Sequence, residues 1–457
     1  MSVFKAYDVR AVYPEPLNEA CARRIGFSTG QFLLSEAGGR GAVAVGHDMR
    51  PSSLSLVAAL KDGILASGAD VIDVGLVDTP FIAFAVNHLN AIGGIQTTAS
   101  HNPIQYNGFK ICRAKAKPVG MGSGLEIIEA KVDEVDESAV TESHGSESSI
   151  DIWSLYREHV FQYMDPKILS GEVTIKAAID ASNGMAGTMF PKLFRDVEGL
   201  ELIEINFEND KGVFVHDPNP LVEANLQETR DAVLEHGCNV GMCFDGDADR
   251  CMIIDEQGGI VGCDLITAWL APKFLAHEAI GGSIVFDLRS SHAVADVIAQ
   301  AGGKSVRSRV GHVFMKQAMA EHDASFGGEL SGHFYFRDNF YADSGAMAFA
   351  SVVGALASSD DSMSSQIAPF RTFCQSGEIN FETPDKEAAM EKLIGAFPDA
   401  RVDRLDGVTV ELDTWWCNVR ASNTEPLLRL NLEANSDEEV ASRVEEVSQL
   451  LGTRVDH

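Results

Sequence analysis

GAVAVGHDMRPSSLSLVAALKDGILASGADVIDVGLVDTPFIAFAVNHLNAIGGIQTTA, residues 41–99, alternates short apolar runs with longer amphipathic ones. Residues 41–48, 71–76 and 93–99 read as strands, and 54–68 and 81–89 as helices, with short turn-rich joins. Strands alternating with helices in this way predict an α/β fold.

The same order returns twice. KAAIDA (176–181), the helical 184–197, LELIEINF (200–207), the helical 225–237 and NVGMCFD (239–245) form a second block. GGSIVFDL (281–288), 291–302, KSVRSRV (304–310), 312–322 and ASFGGEL (324–330) form a third. After a helix near 385–396, the strand-like DGVTVEL, WWCNVRA and PLLRLNLEA and a last helix give the tail an α+β character. Ser436 with Glu439 three residues on is a capping box for that helix. The expected architecture is α/β: three similar mixed α/β domains in series plus a smaller α+β C-terminal domain, around a central cleft. The boundaries fall at 1–150, 151–257, 258–367 and 368–457, with the polar stretch 135–149 read as a loop or linker.

Composition narrows the function. At 457 residues the chain exceeds one core, and 45% apolar with 23% charged residues describes a globular protein. The most apolar run, 346–357, is shorter than the roughly 18–20 residues needed to cross a bilayer, and MSVFKAYDVR lacks a signal-peptide core. A cytoplasmic location is expected. A net charge of −31 disfavours nucleic acid and anionic membranes as partners and demands that any phosphate site be locally basic. Eight scattered cysteines without a CxxC pair read as reduced core residues, neither a zinc site nor a disulfide framework.

Four segments carry chemistry. In Thr97-Thr98-Ala99-Ser100-His101-Asn102-Pro103, the proline biases Asn102 toward extended backbone and leaves Ser100 in a strand-end loop. A serine there can carry a covalent intermediate if a neighbour activates it; it also reads as an ordinary turn serine. Asp245-Gly246-Asp247-Ala248-Asp249-Arg250 sets three carboxylates at alternate positions, which repel unless a hard cation such as magnesium or calcium neutralises them. A calcium loop of the EF-hand type is the competing reading, with Glu256 at its twelfth position. Arg250 stands where that loop needs glycine, and strand-like flanks replace the required helices.

Gly327-Gly328-Glu329-Leu330-Ser331-Gly332-His333 offers acceptors and donors suited to sugar hydroxyls, or makes a polar surface turn. Arg420-Ala421-Ser422-Asn423-Thr424-Glu425-Pro426, with Arg429 beyond, gathers guanidiniums and hydroxyls that suit phosphate oxygens.

In this order, the four segments resemble the α-D-phosphohexomutase superfamily along essentially the whole chain. TASHNP is similar to its phosphoserine loop, DGDADR to its metal loop, GELSGH to its sugar loop and RASNTEP to its phosphate loop. Further matches are residues 4–10, Tyr106-Asn107-Gly108-Phe109-Lys110, and Val310-Gly311-His312 ahead of Lys316. Ala11 replaces a usual glycine, and Arg289 a frequent lysine.

The resemblance implies a phosphohexose mutase of the phosphomannomutase/phosphoglucomutase branch, interconverting hexose 6- and 1-phosphates through a phosphoserine and a hexose 1,6-bisphosphate. That bisphosphate would also prime the enzyme. Mannose ranks first as substrate, then glucose and glucosamine. Magnesium would be held by Ser100, Asp245, Asp247 and Asp249, and proton transfer would fall to Lys110 or His101, with Arg10 close by. Arg250, Arg289, His312, Glu329, Ser331 and His333 would meet the sugar phosphate, and Arg420, Ser422, Asn423, Thr424 and Arg429 its remote phosphate. The only expected partner is a small phosphosugar, bound by a monomer or homodimer. A metal-dependent sugar phosphatase and a calcium-binding protein are the alternatives from other classes; a phosphatase has no use for a second phosphate clamp.

Overall fold

A computed structural model describes residues 2–135, 140, 142, 144–278, 281–422 and 427–455. The chain divides into two compact units, Met1–Val261 with Ser331–Ser364, and Gly262–Leu330 with Ser365–His457.

The first unit contains two sheets. In one, β1 (Val9–Val12), β2 (Ala42–His47), β3 (Asp70–Leu76), β4 (Gly93–Thr97), β5 (Tyr106–Arg113), β6 (Lys117–Pro118) and β7 (Glu147–Ser149) form seven strands in the order β1-β5-β4-β2-β3-β7, with β6 on β5. The strands read from residues 41–99 form its parallel centre, where β2 pairs with both β3 and β4. β4 and β5 run antiparallel and are joined by the Ser100 loop, so that loop lies at the C-terminal end of β4. β1 adds to β5 in an extended register that accommodates Ala11 opposite Asn107.

Part of the polar 135–149 stretch is a strand rather than a linker. β7 pairs with β3, and Lys61 reaches across to Asp73 at 2.6 Å and Glu147 at 2.7 Å, which compensates acidic edge positions.

The second sheet comprises β8 (Ile175–Asp180), β9 (Leu200–Ile205), β10 (Val240–Phe244), β11 (Cys251–Asp255) and β12 (Ile260–Val261), in the order β12-β11-β10-β8-β9. β10 and β11 are an antiparallel hairpin with Phe244 opposite Cys251, and DGDADR is its loop. Strands on both sides exclude the EF-hand, whose loop must join two helices. The first unit also holds the hairpin Phe334–Phe336 with Ala342–Asp343 and the helix Gly345–Leu356, all of whose residues are buried. A helix apolar all round belongs in a core. Phe349 lies 4.9 Å from Phe190 and 4.8 Å from Phe194, ring to ring and edge-on, which fixes this returning segment against the helix Ala186–Leu193.

In the second unit, strands Lys304–Ser308, Ser283–Asp287 and Phe326–Gly328 are parallel neighbours. Its C-terminal part is a six-stranded antiparallel sheet around Phe381, Val410, Cys417, Leu430 and Leu432, with helix Asp437–Leu451 packed on it. Ser436 Oγ accepts from Glu439 N at 3.2 Å, as the capping pattern requires, while Glu439 takes a bond from Thr414. All eight cysteines are free thiols, six of them buried. Among the described residues, no helix is long and apolar enough to cross a membrane.

The first unit depends on a close crossing of α1 (Glu19–Glu36) and α2 (Ser53–Ala66). A Cβ on Gly26 would sit 2.1 Å from Leu60 O, and one on Gly63 1.9 Å from Arg23 O. Alanine ordinarily gains about 1 kcal/mol over glycine within a helix. Here the clash is with backbone, so Gly63→Ala is expected to lower unfolding free energy by about 2–3 kcal/mol in urea titration.

Candidate active site

In the first unit the structure brings the serine loop and the carboxylate loop together. Ser100 has φ 50° and is 4% exposed, and its Oγ donates to Asp245 Oδ2 at 2.9 Å. The left-handed backbone costs a non-glycine residue on the order of 1–2 kcal/mol and persists only where surroundings impose it. Here Ser100 N donates to Thr98 Oγ1 at 3.0 Å. Gly246 is required opposite, because a Cβ there would lie 2.4 Å from Ser100 O.

Asp245, Asp247 and Asp249 are all buried, with one carboxylate oxygen from each within 4.8 Å of the others. Two cations offset part of this charge. Lys110 Nζ lies 2.7 Å from Asp247 Oδ2 and 2.6 Å from Asp249 Oδ2. Arg250 donates to Asp245 Oδ2 through Nε at 3.2 Å and Nη2 at 3.1 Å. Burial disfavours the Lys110 ammonium, but Asp247, Asp249 and Asp245 outweigh it and push its pKa up. Burial raises Asp245 to about 7, with Asp249 and Asp247 adding to the rise. Burial acts the same way on Asp249, yet Lys110, His333 and Arg250 hold its carboxyl well below the usual range.

His101 Nδ1 contacts Arg250 Nη2 and lies 3.4 Å from Ser100 Oγ. Arg250 first, then burial, Arg10 and Lys110 drive the imidazole pKa well below its ordinary value. Arg10 joins the cluster through Asn102 Oδ1 at 2.6 Å. His333 pairs with Arg250 across a backbone bridge, places Nε2 3.5 Å from Asp249 Oδ1, and has Ser331 Oγ 3.0 Å from Nδ1. Ser100, His101, Lys110, Arg10, Asp245, Asp247, Asp249, Arg250, Ser331 and His333 therefore share the first unit.

The trio fits a hard divalent cation. Its donors are all carboxylate oxygens, the pattern that magnesium prefers. Asp247 Oδ1 is buried with no hydrogen-bond partner among the described residues, a costly state that a cation would relieve.

The remaining candidates lie in the second unit. Arg289 is held by Asp287 at 3.0 and 2.9 Å and lies 3.8 Å from Glu329 Oε1. Glu329 Oε1 also accepts from Gly311 N at 3.0 Å, next to His312 at the start of its helix. Arg420, Arg429 and Arg289 converge on Glu378 at 2.8, 3.0 and 3.6 Å. Burial, then Arg289, lowers the Arg420 pKa, the sign of a crowded cation. Asp287 and Glu329 also face Arg289, so the three guanidiniums meet three carboxylates, and an anion would compete with Glu378 for Arg420 and Arg429. Ser422 is buried, with its N–H on Leu427 O at 2.8 Å; Asn423 and Thr424 lie outside the described residues.

Sequence reasoning missed several residues. Glu378 sits at a register shift in the strand Cys374–Glu382 and reads as surface charge. Thr79 donates through N to Asp247 O at 3.1 Å and through Oγ1 to Asp247 Oδ2, bracing the carboxylate loop. Arg50 binds the Ser100 loop from behind, although Met49-Arg50-Pro51 reads only as a turn. A charged residue between a strand end and a proline was the available signal.

Comparison with known proteins places this arrangement. Four successive family descriptions match: phosphoglucomutase/phosphomannomutase α/β/α domain I over residues 1–139, domain II over 155–259, domain III over 263–373 and the C-terminal domain over 378–450. A phosphomannomutase of Vibrio cholerae is 38% identical over 460 residues, covering 99% of this chain and 98% of that protein. Phosphohexose mutases of Xanthomonas campestris pv. campestris are 37% identical over 455 residues, 99% of each chain. A crystal structure of a phosphoglucomutase/phosphomannomutase family protein from Burkholderia thailandensis superposes with a TM-score of 0.88 at 30% identity, over 98% of this chain and 96% of that one. Fold and site thus define an isomerase acting on hexose phosphates. The chain belongs to the phosphoglucomutase/phosphomannomutase family of the α-D-phosphohexomutase superfamily and is a phosphohexose mutase.

Asp78, immediately before Thr79, is fully buried, and burial raises its pKa to about 7 despite a 3.3 Å bond from Tyr156 Oη. The folded state therefore keeps a proton that the unfolded chain loses near pH 4, and the associated stability is lost as pH rises toward 7. In chelator-treated protein, Asp78→Asn should gain on the parent by up to roughly 4 kcal/mol between about pH 4 and 7, then level off, as read by unfolding at successive pH values.

Proposed function

We propose that this mutase interconverts hexose 6-phosphate and hexose 1-phosphate, with mannose as the preferred sugar, by passing a phosphoryl group through Ser100. The observation that carries the reading is the 2.9 Å bond from Ser100 Oγ to Asp245, inside a buried cluster of three carboxylates and two cations. Phosphoryl transfer needs positioned charge more than covalent chemistry from the protein.

Asp245, Asp247 and Asp249 would hold magnesium beside Ser100. Bound there, the ion would neutralise charge on the phosphoryl oxygens. A sugar hydroxyl would attack the phosphorus of phospho-Ser100; the P–Oγ bond breaks and a hexose 1,6-bisphosphate results. Return of its other phosphoryl group to Ser Oγ restores the enzyme and completes the isomerisation. A supplied hexose 1,6-bisphosphate would prime unphosphorylated enzyme in the same way.

Arg250 lies where it can meet the moving phosphoryl group. Lys110 and His101 are the candidates for handling the proton, with Arg10 adding positive charge near the serine loop. In the second unit Arg420, Arg429 and Ser422, with Asn423 and Thr424, would grip the non-reacting phosphate. Arg289, His312 and Glu329 are the second unit's candidates for meeting the sugar, and Ser331 and His333 are the first unit's. Binding at the remote phosphate orients the reacting end. The guanidinium cluster supports a mutase over a sugar phosphatase, which has no second phosphate to hold.

Mannose 1-phosphate and glucose 1-phosphate supplied with magnesium and a hexose 1,6-bisphosphate should both be converted, mannose with the higher kcat/KM. Ser100→Ala should lose more than about a thousandfold in kcat, and chelation should abolish activity that magnesium restores. Equal turnover by Ser100→Ala would sink the phosphoserine route, and free phosphate without isomerisation would point to a phosphatase.

A further inference from the structure

Behind the serine loop lies a group outside the chemistry above. Arg50 is 1% exposed, and its guanidinium has five N–H donors, each with an acceptor. Nη2 donates to Ser100 O and Asn102 O, both at 2.7 Å, and Nη1 to Pro103 O at 2.8 Å and Tyr106 O at 3.0 Å. Nε donates to Asp48 Oδ2 at 3.1 Å, and Asp48 is itself held by Arg50 N and Ser53 Oγ.

The open face of this cation is capped. Phe214 lies under the guanidinium at 5.1 Å to the ring centroid, and a Cβ on Gly246 of the carboxylate loop would sit 3.3 Å from Phe214 Cζ. The strap bearing Phe214 is fastened on both sides, by Asn183 Nδ2 to Val213 O at 3.2 Å and by His216 Nε2 facing Asp180 Oδ2 at 3.5 Å. Its Gly212 packs so closely on Pro51 that a Cβ would lie 2.6 Å from Pro51 Cγ.

We propose that Arg50, capped by Phe214, is a positioning residue for phosphoryl transfer: its fork fixes the carbonyls of residues 100, 102, 103 and 106 and so holds Ser100 left-handed with Oγ on the carboxylate cluster. This rests on the reading of Ser100 as phosphoryl carrier. Ser100 N and O are both engaged, to Thr98 and Arg50, so only the side-chain torsion remains to place Oγ. Lysine cannot replace the fork. Its three donors lack the planar geometry, and at least two of the five acceptors would lose their bonds.

The test is Arg50→Lys in the full chain, assayed with magnesium, hexose 1-phosphate and a hexose 1,6-bisphosphate, alongside 31P NMR of the enzyme. Misplacement of Oγ by about 1 Å is expected to lower kcat by about a hundredfold. KM should stay within about twofold, because Arg50 touches no sugar-binding candidate. Phe214→Leu keeps the charge and the guanidinium bonds and removes the ring; it should lower kcat by about fivefold at unchanged KM, and serves where Arg50→Lys yields no folded protein. With Ser100 phosphorylated in the parent, unchanged kcat in Arg50→Lys, or in Phe214→Leu where only that variant folds, overturns the positioning role alone. So does a fall in kcat that vanishes when rates are normalised to folded enzyme. A parent that turns over without phosphate on Ser100 overturns the serine reading as well.

Discussion

Three carboxylates with oxygens within 4.8 Å of one another cannot be buried together unless positive charge is buried with them. That constraint organises the first unit. Lys110 is presented by β5, Arg250 by the end of the carboxylate loop itself, and the two meet Asp245, Asp247 and Asp249 at hydrogen-bonding distance. The strand order β1-β5-β4 makes this possible, since the turn between β4 and β5 carries Ser100 while β5 carries the lysine that answers the aspartates. Loss of any one charge would leave another uncompensated in a medium that solvates it poorly.

The second unit gathers its guanidiniums in one place. Arg289, Arg420 and Arg429 surround Glu378, and the whole chain carries a net charge of −31. That net charge repels anions at long range, so any anion site must be locally basic. Acidity elsewhere therefore sharpens the contrast between the arginine cluster and its surroundings.

How far these features could be read from the sequence depends on whether local pattern or distant packing determines them. The residue 41–99 strands and helices follow from periodicity, and Cys251–Asp255 reads as a strand because its apolar run is too short for a helix. Asp245, Asp247 and Asp249 announce themselves by clustering. Arg50 and Glu378 do not, because their partners are backbone carbonyls and guanidiniums distant in sequence, 56 residues away for Tyr106 O and 42 for Arg420, and a single chain gives no measure of such pairing. Residues 147–149 form a strand only because β3 offers an open edge and Lys61 offsets the charge; their own Glu and Ser content favours a loop. Asp78 was equally silent, since nothing about an aspartate before Thr-Pro indicates complete burial.

The helix Gly345–Leu356 has a consequence for how the chain is made. It lies in the first unit's core, with Phe349 against Phe190 and Phe194, yet it is separated from them by the whole of Gly262–Leu330. A ribosome that has released only residues up to 261 exposes a nascent chain whose aromatic cluster lacks its last member. The first unit cannot finish folding N-terminal first, as successive domains usually do. It must hold its unfilled apolar face in water until about a hundred further residues emerge, an interval in which a holdase chaperone would find its natural substrate.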